Sequence, residues 1–241
     1  MGRAVAAAVV AGVVALAPAA PAVAPAGARP SVLLGRSAEG RPIRAVRLGD
    51  PDSPRKALVV GVIHGDERAG LRVTRALRSQ RVRGVDLWVV DSANPDGAAH
   101  DTRQNARGVD LNRNFAYRWQ RNGSRGTPEW PGPRPFSEPE SRVVRRWVLR
   151  LKPNVTIWYH QPWNAVLKPC RGRAPIQRRY ARRVGMRLSC RGAGLHGTAT
   201  SWENHVLPGA GAFVVELPER GVSARGAARH ARAAVAAAAG R

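Results

Sequence analysis

The sequence predicts a single α/β domain with a mostly parallel mixed sheet that is covered by helices on both faces. Four runs of apolar, often β-branched residues lead to this prediction: residues 57–63, 85–90, 154–160 and 212–218. Strands that are apolar on both sides are typical of buried parallel sheets, and helical candidates lie between these runs.

The elements between the strands follow from the same pattern. Residues 66–80 and 138–152 predict helices, and the Ala-rich tail at residues 223–240 predicts a closing helix. Residues 92–137 are rich in Gly, Pro and Asn, which predicts long loops. Loops of that length within one domain are usually functional. The sequence contains no internal repeat and no sign of a second domain.

The N-terminal segment predicts export. Residues 1–28 combine an early arginine, an apolar run of roughly a dozen residues and a segment rich in Ala and Pro, which is the order of a secretory signal peptide. Cleavage is expected after Ala24 or Ala28. The run breaks at Pro18 and is shorter than the ~20 apolar residues of a spanning helix, which disfavours a membrane anchor. We therefore expect a secreted protein whose residues 29–241 form the domain.

Basic residues dominate the charge, with a formal net charge of +24. Such a charge favours a polyanionic partner on general grounds. However, only three of the 40 basic residues are lysine and the arginines are scattered, which is typical of GC-rich coding. No aromatic-interleaved nucleic-acid motif is present. We expect no nucleic-acid partner and a monomer, and we leave open adhesion to an anionic cell envelope.

Cys170 and Cys190 are the two cysteines of the chain. In an exported protein an even pair is most simply a disulfide, and two buried free thiols are the alternative.

Polar residues follow the ends of the apolar runs. His64 follows the first run, residues 91–97 follow the second, His160 ends the third and Glu216 lies near the end of the fourth. Because ligands bind outside the carboxyl ends of parallel strands, we expect these residues to converge on one edge of the sheet.

Three of the polar residues have the chemistry of a zinc site. His64 and Glu67 lie in one turn, and His160 follows 93 residues after Glu67. Two histidines and one carboxylate suit a catalytic Zn²⁺, one per chain, because three protein ligands leave the fourth position open for water. Glu216 is then available as the base that activates water.

A second polar segment, "TRQNARGVDLNRNF" at residues 102–115, supports this interpretation. It supplies cations and amides for anionic substrate oxygens and an acid for orienting a histidine. These motifs together resemble the zinc carboxypeptidase family: "HGDE", "NPDG", "GVDLNRNF", a strand-end "YH" and "VVELP" occur in the family's order and approximate spacing. The resemblance covers residues 35–220, and residues 35–43 are similar to the family's lead-in strand region. It is greatest to the bacterial branch that includes murein peptide amidases.

The resemblance implies the same zinc ligands and the same base, and it adds further roles. Arg103 would polarise the scissile carbonyl and stabilise the oxyanion, although Arg107 in the same loop is an alternative. Asn112 and Arg113 would hold the free carboxylate of the terminal residue of the substrate. Asp110 would orient His64.

One departure from the family concerns specificity. The larger digestive members have a tyrosine in the loop before the catalytic glutamate, and this chain has none between Cys190 and Glu216. Trp202, Asn204 and His205 occupy that segment.

We expect two other histidines, His100 and His230, to face solvent.

The resemblance implies a zinc carboxypeptidase or amidase that hydrolyses a peptide-type bond next to a terminal residue with a free carboxylate, and the predicted signal peptide adds that it is secreted. Murein peptides are a candidate substrate, with the γ-D-glutamyl–diaminopimelate bond as the specific one, and the sequence identifies no residue that reads the second amine of diaminopimelate. An N-acyl amino acid deacylase of the aspartoacylase type and a non-catalytic cell-wall-binding protein are the alternatives.

Overall fold

A computed structural model describes residues 1–2, 31–192 and 194–240. Residues 3–30 lie outside the described residues, and the predicted signal peptide and its cleavage site fall there.

The described part of the chain contains eight strands in one mixed sheet. Their bounds are β1 Ser31–Arg36, β2 Pro42–Gly49, β3 Lys56–Val62, β4 Asp86–Ser92, β5 Val155–His160, β6 Trp163–Leu167, β7 Arg187–Ser189 and β8 Gly211–Pro218. The strand order is β1-β2-β4-β3-β5-β8-β6-β7. The central strands β4, β3, β5 and β8 are parallel, whereas β2 joins β4 and β6 joins β8 in antiparallel fashion. The predicted mostly parallel mixed sheet is confirmed.

Six α-helices lie within the described residues. Their bounds are α1 Ala69–Arg78, α2 Pro95–His100, α3 Pro139–Leu151, α4 Pro175–Val184, α5 Ala199–Val206 and α6 Ala224–Ala238. A short 3₁₀ turn covers Leu111–Arg113. One hydrophobic layer packs α1, α4 and α6 against one face of the sheet. A second layer packs α3, α5 and the long loops against the other face, so the sheet is covered on both sides as predicted.

The alternation of side chains along β5 determines the face on which polar residues lie. Ile157 and Tyr159 point into the first layer, and Trp158 points into the second. Because successive side chains of a strand point to opposite faces, His160 lies on the same face as Trp158, towards α3 and α5.

A close backbone contact holds α5 beside the 3₁₀ turn. Gly197 has a φ of +61°, and a Cβ atom there would lie 2.2 Å from the carbonyl oxygen of Arg113. Only glycine permits this conformation and this approach at low cost. The Thr198 hydroxyl then caps α5 by accepting a hydrogen bond from the Ser201 amide at 3.2 Å. The start of α5 is therefore fixed against the turn that carries Arg113.

The elements found by sequence patterns agree with the structure to within a few residues. The four apolar runs are β3, β4, β5 and β8, and the three helical predictions are α3, α6 and α1, which begins later than expected at Ala69. The loop region contains α2 and the 3₁₀ turn, and the lead-in region forms β1 and β2. The short elements β6, β7, α4 and α5 were not predicted, because their segments lack a long apolar run.

The burial of His230 also differs from the sequence-based expectation. It was expected to face solvent, but it is buried and its Nδ1 lies 2.9 Å from the Tyr180 hydroxyl, which itself lies 2.7 Å from the Tyr159 hydroxyl. The expectation was wrong because the Ala-rich helix α6 buries one face against α1 and α4. His100 is exposed, as expected.

A disulfide joins Cys170 and Cys190, whose Cα atoms are 4.9 Å apart. This confirms the preference for a bridge over two free thiols. The bridge ties the segment after β6 to the residue that follows β7. None of the helices in the described residues combines the length and apolarity that crossing a membrane requires.

A buried carboxyl group anchors α5 to the sheet. The side chain of Glu203 is fully buried, with Oε1 accepting a hydrogen bond from the Thr156 hydroxyl and Oε2 lying 3.4 Å from the Trp158 indole nitrogen, both on β5. Burial raises the pKa of Glu203 to about 7, although both hydrogen bonds act in the opposite direction.

We predict that Glu203→Gln removes a pH dependence of stability. Between the usual pKa of 4.5 and about 7, the folded protein holds a proton on Glu203 that the unfolded chain has released. Stability from this group is therefore present below pH 4.5 and is lost as pH rises to about 7, by about 3 kcal/mol in total. Urea unfolding of the parent and the variant across this range should give a steeper fall in the parent. Identical slopes would contradict the prediction.

Candidate active site

A cleft with a volume of about 1370 Å³ contains the polar residues that follow the predicted strands. His64, Glu67, His160 and Glu216 all line it. Since β3, β5 and β8 are adjacent and parallel, their carboxyl ends form one edge of the sheet, and the cleft opens there. The predicted convergence is observed for these four residues, whereas residues 91–97, which follow the second predicted strand, do not line the cleft.

Glu67 lies between the two histidines. Its Oε1 is 2.7 Å from Nδ1 of His64, and its Oε2 is 2.8 Å from Nδ1 of His160. The backbone amide of Gln161 donates to the same Oε2 at 3.1 Å. The Glu67 carboxylate therefore holds the turn after β3, which carries His64, in place relative to β5, which carries His160.

Asp110 holds the other nitrogen of His64. The Oδ1 of Asp110 lies 3.0 Å from Nε2 of His64 and accepts a hydrogen bond from the Asn112 amide at 2.9 Å. Oδ2 of Asp110 accepts two bonds from Arg103, at 2.7 Å from Nη2 and 3.2 Å from Nε. Asp110 is fully buried, so it holds the His64 ring with Nδ1 directed at Glu67.

The structure distinguishes the two arginines of the loop. Arg103 lies beside the histidines, with Nη1 3.3 Å from Oε1 of Glu67. The side chain of Arg107 is 55% exposed, and the acid it approaches is Glu138, at 3.8 Å. Arg103 lines the cleft and Arg107 does not.

The donor atoms fit a zinc ion. His64, Glu67 and His160 each offer one ligand atom, and these atoms lie within 4.8 Å of one another. Two imidazole nitrogens and one carboxylate oxygen are a common ligand set of catalytic zinc sites. An acid on the far nitrogen of a ligand histidine is the usual support for such a site, and Asp110 provides it.

The electrostatics of the three residues are mutually dependent. Burial alone would raise the pKa of Glu67, but the adjacent His160 and His64 lower it well below the usual range. Burial opposes a charge on His64, yet Asp110 and Glu67 raise its pKa to about 9. Burial lowers the pKa of His160 despite its bond to Glu67. A bound metal therefore displaces a proton from His64, and metal affinity should weaken as pH falls.

Glu216 faces the cleft next to His160. The two residues are register partners in the parallel pair of β5 and β8. Glu216 is 6% exposed, and its Oε2 has no hydrogen-bond partner among the described residues. Burial, followed by the negative charge of Glu67, raises the pKa of Glu216 to about 8. Such a carboxyl group is suited to exchanging a proton near neutral pH.

Asn112 and Arg113 lie on the 3₁₀ turn and line the cleft. The Oδ1 of Asn112 accepts a hydrogen bond from the Ala199 amide at 2.9 Å, while its Nδ2 lies 3.5 Å from Nε2 of His160. Arg113 donates from Nη2 to Oε1 of Glu129 at 3.0 Å. Asn112 thus links the zinc-type cluster to α5, and Arg113 is held beside it.

Three features of the cleft were not predicted from the sequence. Tyr117 stacks on His205 with ring centroids 4.2 Å apart, so a tyrosine does line the cleft, but from a different loop than in the digestive family members. Glu129 lies against Arg113. Four cations from the disulfide-bridged region also line the cleft: Lys168, Arg171, Arg173 and Arg191. Of these residues only Tyr117 had a sequence signal, since it lies two residues after the "LNRNF" motif.

Comparison with known proteins agrees with this geometry. The model of the zinc carboxypeptidase family matches residues 28–174. Murein peptide amidase A of Escherichia coli (strain K12) is 32% identical over 148 residues, which is 56% of this chain and 60% of that protein. The chain thus matches less than two thirds of the length of this relative.

Solved structures match over more of the chain. A murein-tripeptide amidase from Escherichia coli O157 has a TM-score of 0.70 at 25% identity, covering 88% of this chain and 94% of the other. A carboxypeptidase A from Helicoverpa Armigera has a TM-score of 0.75 at 20% identity over 88% of this chain and 69% of the other, which shows the shared fold. The family match ends before Glu216, so the position of that residue rests on the geometry of β8.

We predict that Asp110→Asn weakens zinc binding about 10- to 100-fold. The reason is that a neutral amide accepts the hydrogen bond from the His64 ring less strongly than the Asp110 carboxylate does. Competition with a chromophoric chelator measures this affinity. Asp86→Asn is a matched control, because Asp86 is a buried acid bonded to Arg47 on the far part of the sheet. Parental affinity in Asp110→Asn, or an equal loss in the control, would refute the prediction.

Proposed function

Because the chain belongs to the zinc carboxypeptidase family, we propose that it is a secreted zinc-dependent hydrolase that cleaves a peptide-type bond next to a terminal residue with a free carboxylate. The observation that carries this proposal is the cluster of His64, Glu67 and His160 with the buried, unpaired oxygen of Glu216 beside it in the described residues. The export of the protein is proposed from the predicted signal peptide at residues 1–28 alone.

Glu216 is the proton carrier of the proposed reaction. When bound, zinc supplies the Lewis acidity that polarises the carbonyl and activates water. The carboxylate of Glu216 accepts a proton from the attacking water and then donates it to the leaving amine. Burial raises the pKa of Glu216, which makes its carboxylate a stronger proton acceptor than that of an exposed glutamate.

Arg103 is the proposed oxyanion residue. Two of its nitrogens are held by Asp110, which leaves Nη1 beside Glu67 at the cleft. A guanidinium fixed in this way stabilises negative charge on the carbonyl oxygen without having to reorganise during the reaction. Asn112 and Arg113 take the free carboxylate of the terminal residue, for which a guanidinium offers a matching pair of donors.

The shape and charge of the cleft favour a peptide substrate over an N-acyl amino acid. A volume of about 1370 Å³ is larger than a single acylated residue needs. The four cations that line the cleft near the disulfide have no salt bridge within residues 31–192 and 194–240. They favour a substrate that carries acidic groups. A γ-linked glutamyl residue retains its α-carboxylate beside the scissile bond, which makes murein peptides the preferred candidate.

We predict that Glu216→Gln binds zinc as the parent does but loses activity by about 10²- to 10⁴-fold, because the amide cannot exchange the proton. His64→Ala should lose both zinc and activity, because one of three ligands is gone. Elemental analysis and peptide hydrolysis by the same preparations separate the two outcomes. Turnover by Glu216→Gln at the parental rate would remove Glu216 from the mechanism, and a zinc content well below one per chain in the parent would favour a non-catalytic role.

A substrate comparison tests the murein assignment. The zinc-loaded protein is incubated with L-alanyl-γ-D-glutamyl-diaminopimelate and with ordinary peptides that end in L-residues. We expect faster release of diaminopimelate, since its glutamyl α-carboxylate meets the cationic part of the cleft. Faster cleavage of the ordinary peptides would reject the murein assignment and leave the zinc hydrolase proposal intact, and activity on N-acetyl amino acids alone would favour the deacylase.

A further inference from the structure

The arginine that is proposed to take the substrate carboxylate already has an acidic neighbour. Nη2 of Arg113 lies 3.0 Å from Oε1 of Glu129, and both residues line the cleft. The Arg113 side chain is 9% exposed, whereas the Glu129 side chain is 53% exposed. The described residues provide no second salt bridge to either side chain. The Glu129 carboxylate therefore has one charged partner and is half-exposed on the lining of the cleft.

The position of Glu129 is built into the fold. The next residue, Trp130, accepts a hydrogen bond at its carbonyl from the Asp110 amide at 2.8 Å. The carbonyl of Pro131 accepts a bond from the Asn114 side chain at 2.7 Å. The segment that carries Glu129 is thus pinned to both ends of the turn that carries Arg113. These bonds hold the backbone of the segment next to the turn and so keep Glu129 beside Arg113.

This pairing changes what Arg113 can recognise. A guanidinium and its carboxylate partner together have no net charge, so the pair attracts a simple carboxylate weakly. A carboxylate that approaches Arg113 also comes close to Glu129, because the two side chains are in direct contact, and like charges at that distance repel. A ligand that brings an ammonium together with its carboxylate avoids this cost, since each group of the ligand then meets its opposite.

The ammonium must come from the side chain of the terminal residue. In the substrate of the proposed reaction, the α-nitrogen of that residue is part of the scissile bond and carries no charge. A diamino acid, such as lysine, ornithine or diaminopimelate, retains a side-chain amine that is protonated, and arginine retains a protonated guanidinium. The Arg113–Glu129 pair is therefore complementary to a terminal diamino acid.

We propose that Glu129 is a specificity-determining residue that binds the side-chain ammonium of a terminal diamino acid while Arg113 binds a carboxylate of the same residue. This inference rests on the proposed function, in that it concerns the terminal residue of the same substrate. It supplies the recognition of a second amine for which the sequence offered no residue.

The test compares lysine with norleucine, which has the same α-carboxylate and the same chain without the ammonium. The zinc-loaded full chain is given benzoylglycyl and γ-D-glutamyl derivatives of each residue, and kcat/KM is measured. We expect a preference for lysine of about tenfold or more in the parent. Glu129→Gln keeps an acceptor for Arg113 but loses the charge, and its preference should fall to about onefold. Glu219→Gln, which changes another exposed glutamate of the cleft, should keep the parental preference.

Calorimetric binding of Nα-acetyl-L-lysine and Nα-acetyl-L-norleucine, whose α-nitrogens carry no charge, to the same three proteins provides a readout that does not need turnover. Cleavage without a lysine preference, a preference that survives in Glu129→Gln, or an equal rise for both residues in that variant would overturn the proposal and leave the hydrolase intact. An equal rise for lysine and norleucine would show that Glu129 only competes with the substrate carboxylate for Arg113. Selective lysine binding that is lost in Glu129→Gln, without cleavage of any peptide, would support the proposal and reject the hydrolase. Absence of both binding and cleavage would reject both.

Discussion

The carboxylate of Glu67, placed between two imidazole rings, is the interaction on which the rest of the site depends. Its two oxygens lie 2.7 Å and 2.8 Å from the Nδ1 atoms of His64 and His160. Three titratable groups are thereby buried together, which would be costly unless their charges were matched. Asp110 supplies the matching charge on the far side of His64, and Arg103 in turn neutralises Asp110. The loop that carries Asp110 and Arg103 is therefore required by the electrostatics of the cluster.

The fold meets this requirement through close contacts between loops. Gly65 follows His64, and a Cβ atom at that position would lie 1.9 Å from the carbonyl carbon of Gly97, at the end of the "NPDG" motif. The amide of Gly65 also donates to the carbonyl of Arg103 at 3.3 Å. Two glycines thus let the turns after β3 and β4 touch, and this contact brings Arg103 to the histidines. The parallel register of β5 and β8 aligns His160 with Glu216 in the same way.

The sequence could predict what depends on local pattern and on the order of the central strands. Long apolar runs located β3, β4, β5 and β8, and the residues at their ends gave the ligand set and Glu216. It could not decide between Arg103 and Arg107, because both lie four residues apart in one loop and only the three-dimensional path of that loop separates them. The role of Glu129 could not be predicted from the sequence for a similar reason. A glutamate in an exposed loop belongs to no recognisable pattern, and its position beside Arg113 depends on hydrogen bonds between its segment and a turn some 20 residues earlier.

The lining of the cleft combines a balanced ion pair with cations that have no acidic partner. Arg113 is balanced by Glu129. Cations such as Lys168 and Arg191 have no salt bridge among the described residues, and the guanidinium of Arg191 lies 4.7 Å from the ring centre of Trp163. The disulfide between Cys170 and Cys190 joins the two segments that carry these cations. A ligand that carries a zwitterionic group and a separate acidic group can match both kinds of lining at once, whereas a ligand with a single charge can match only one of them.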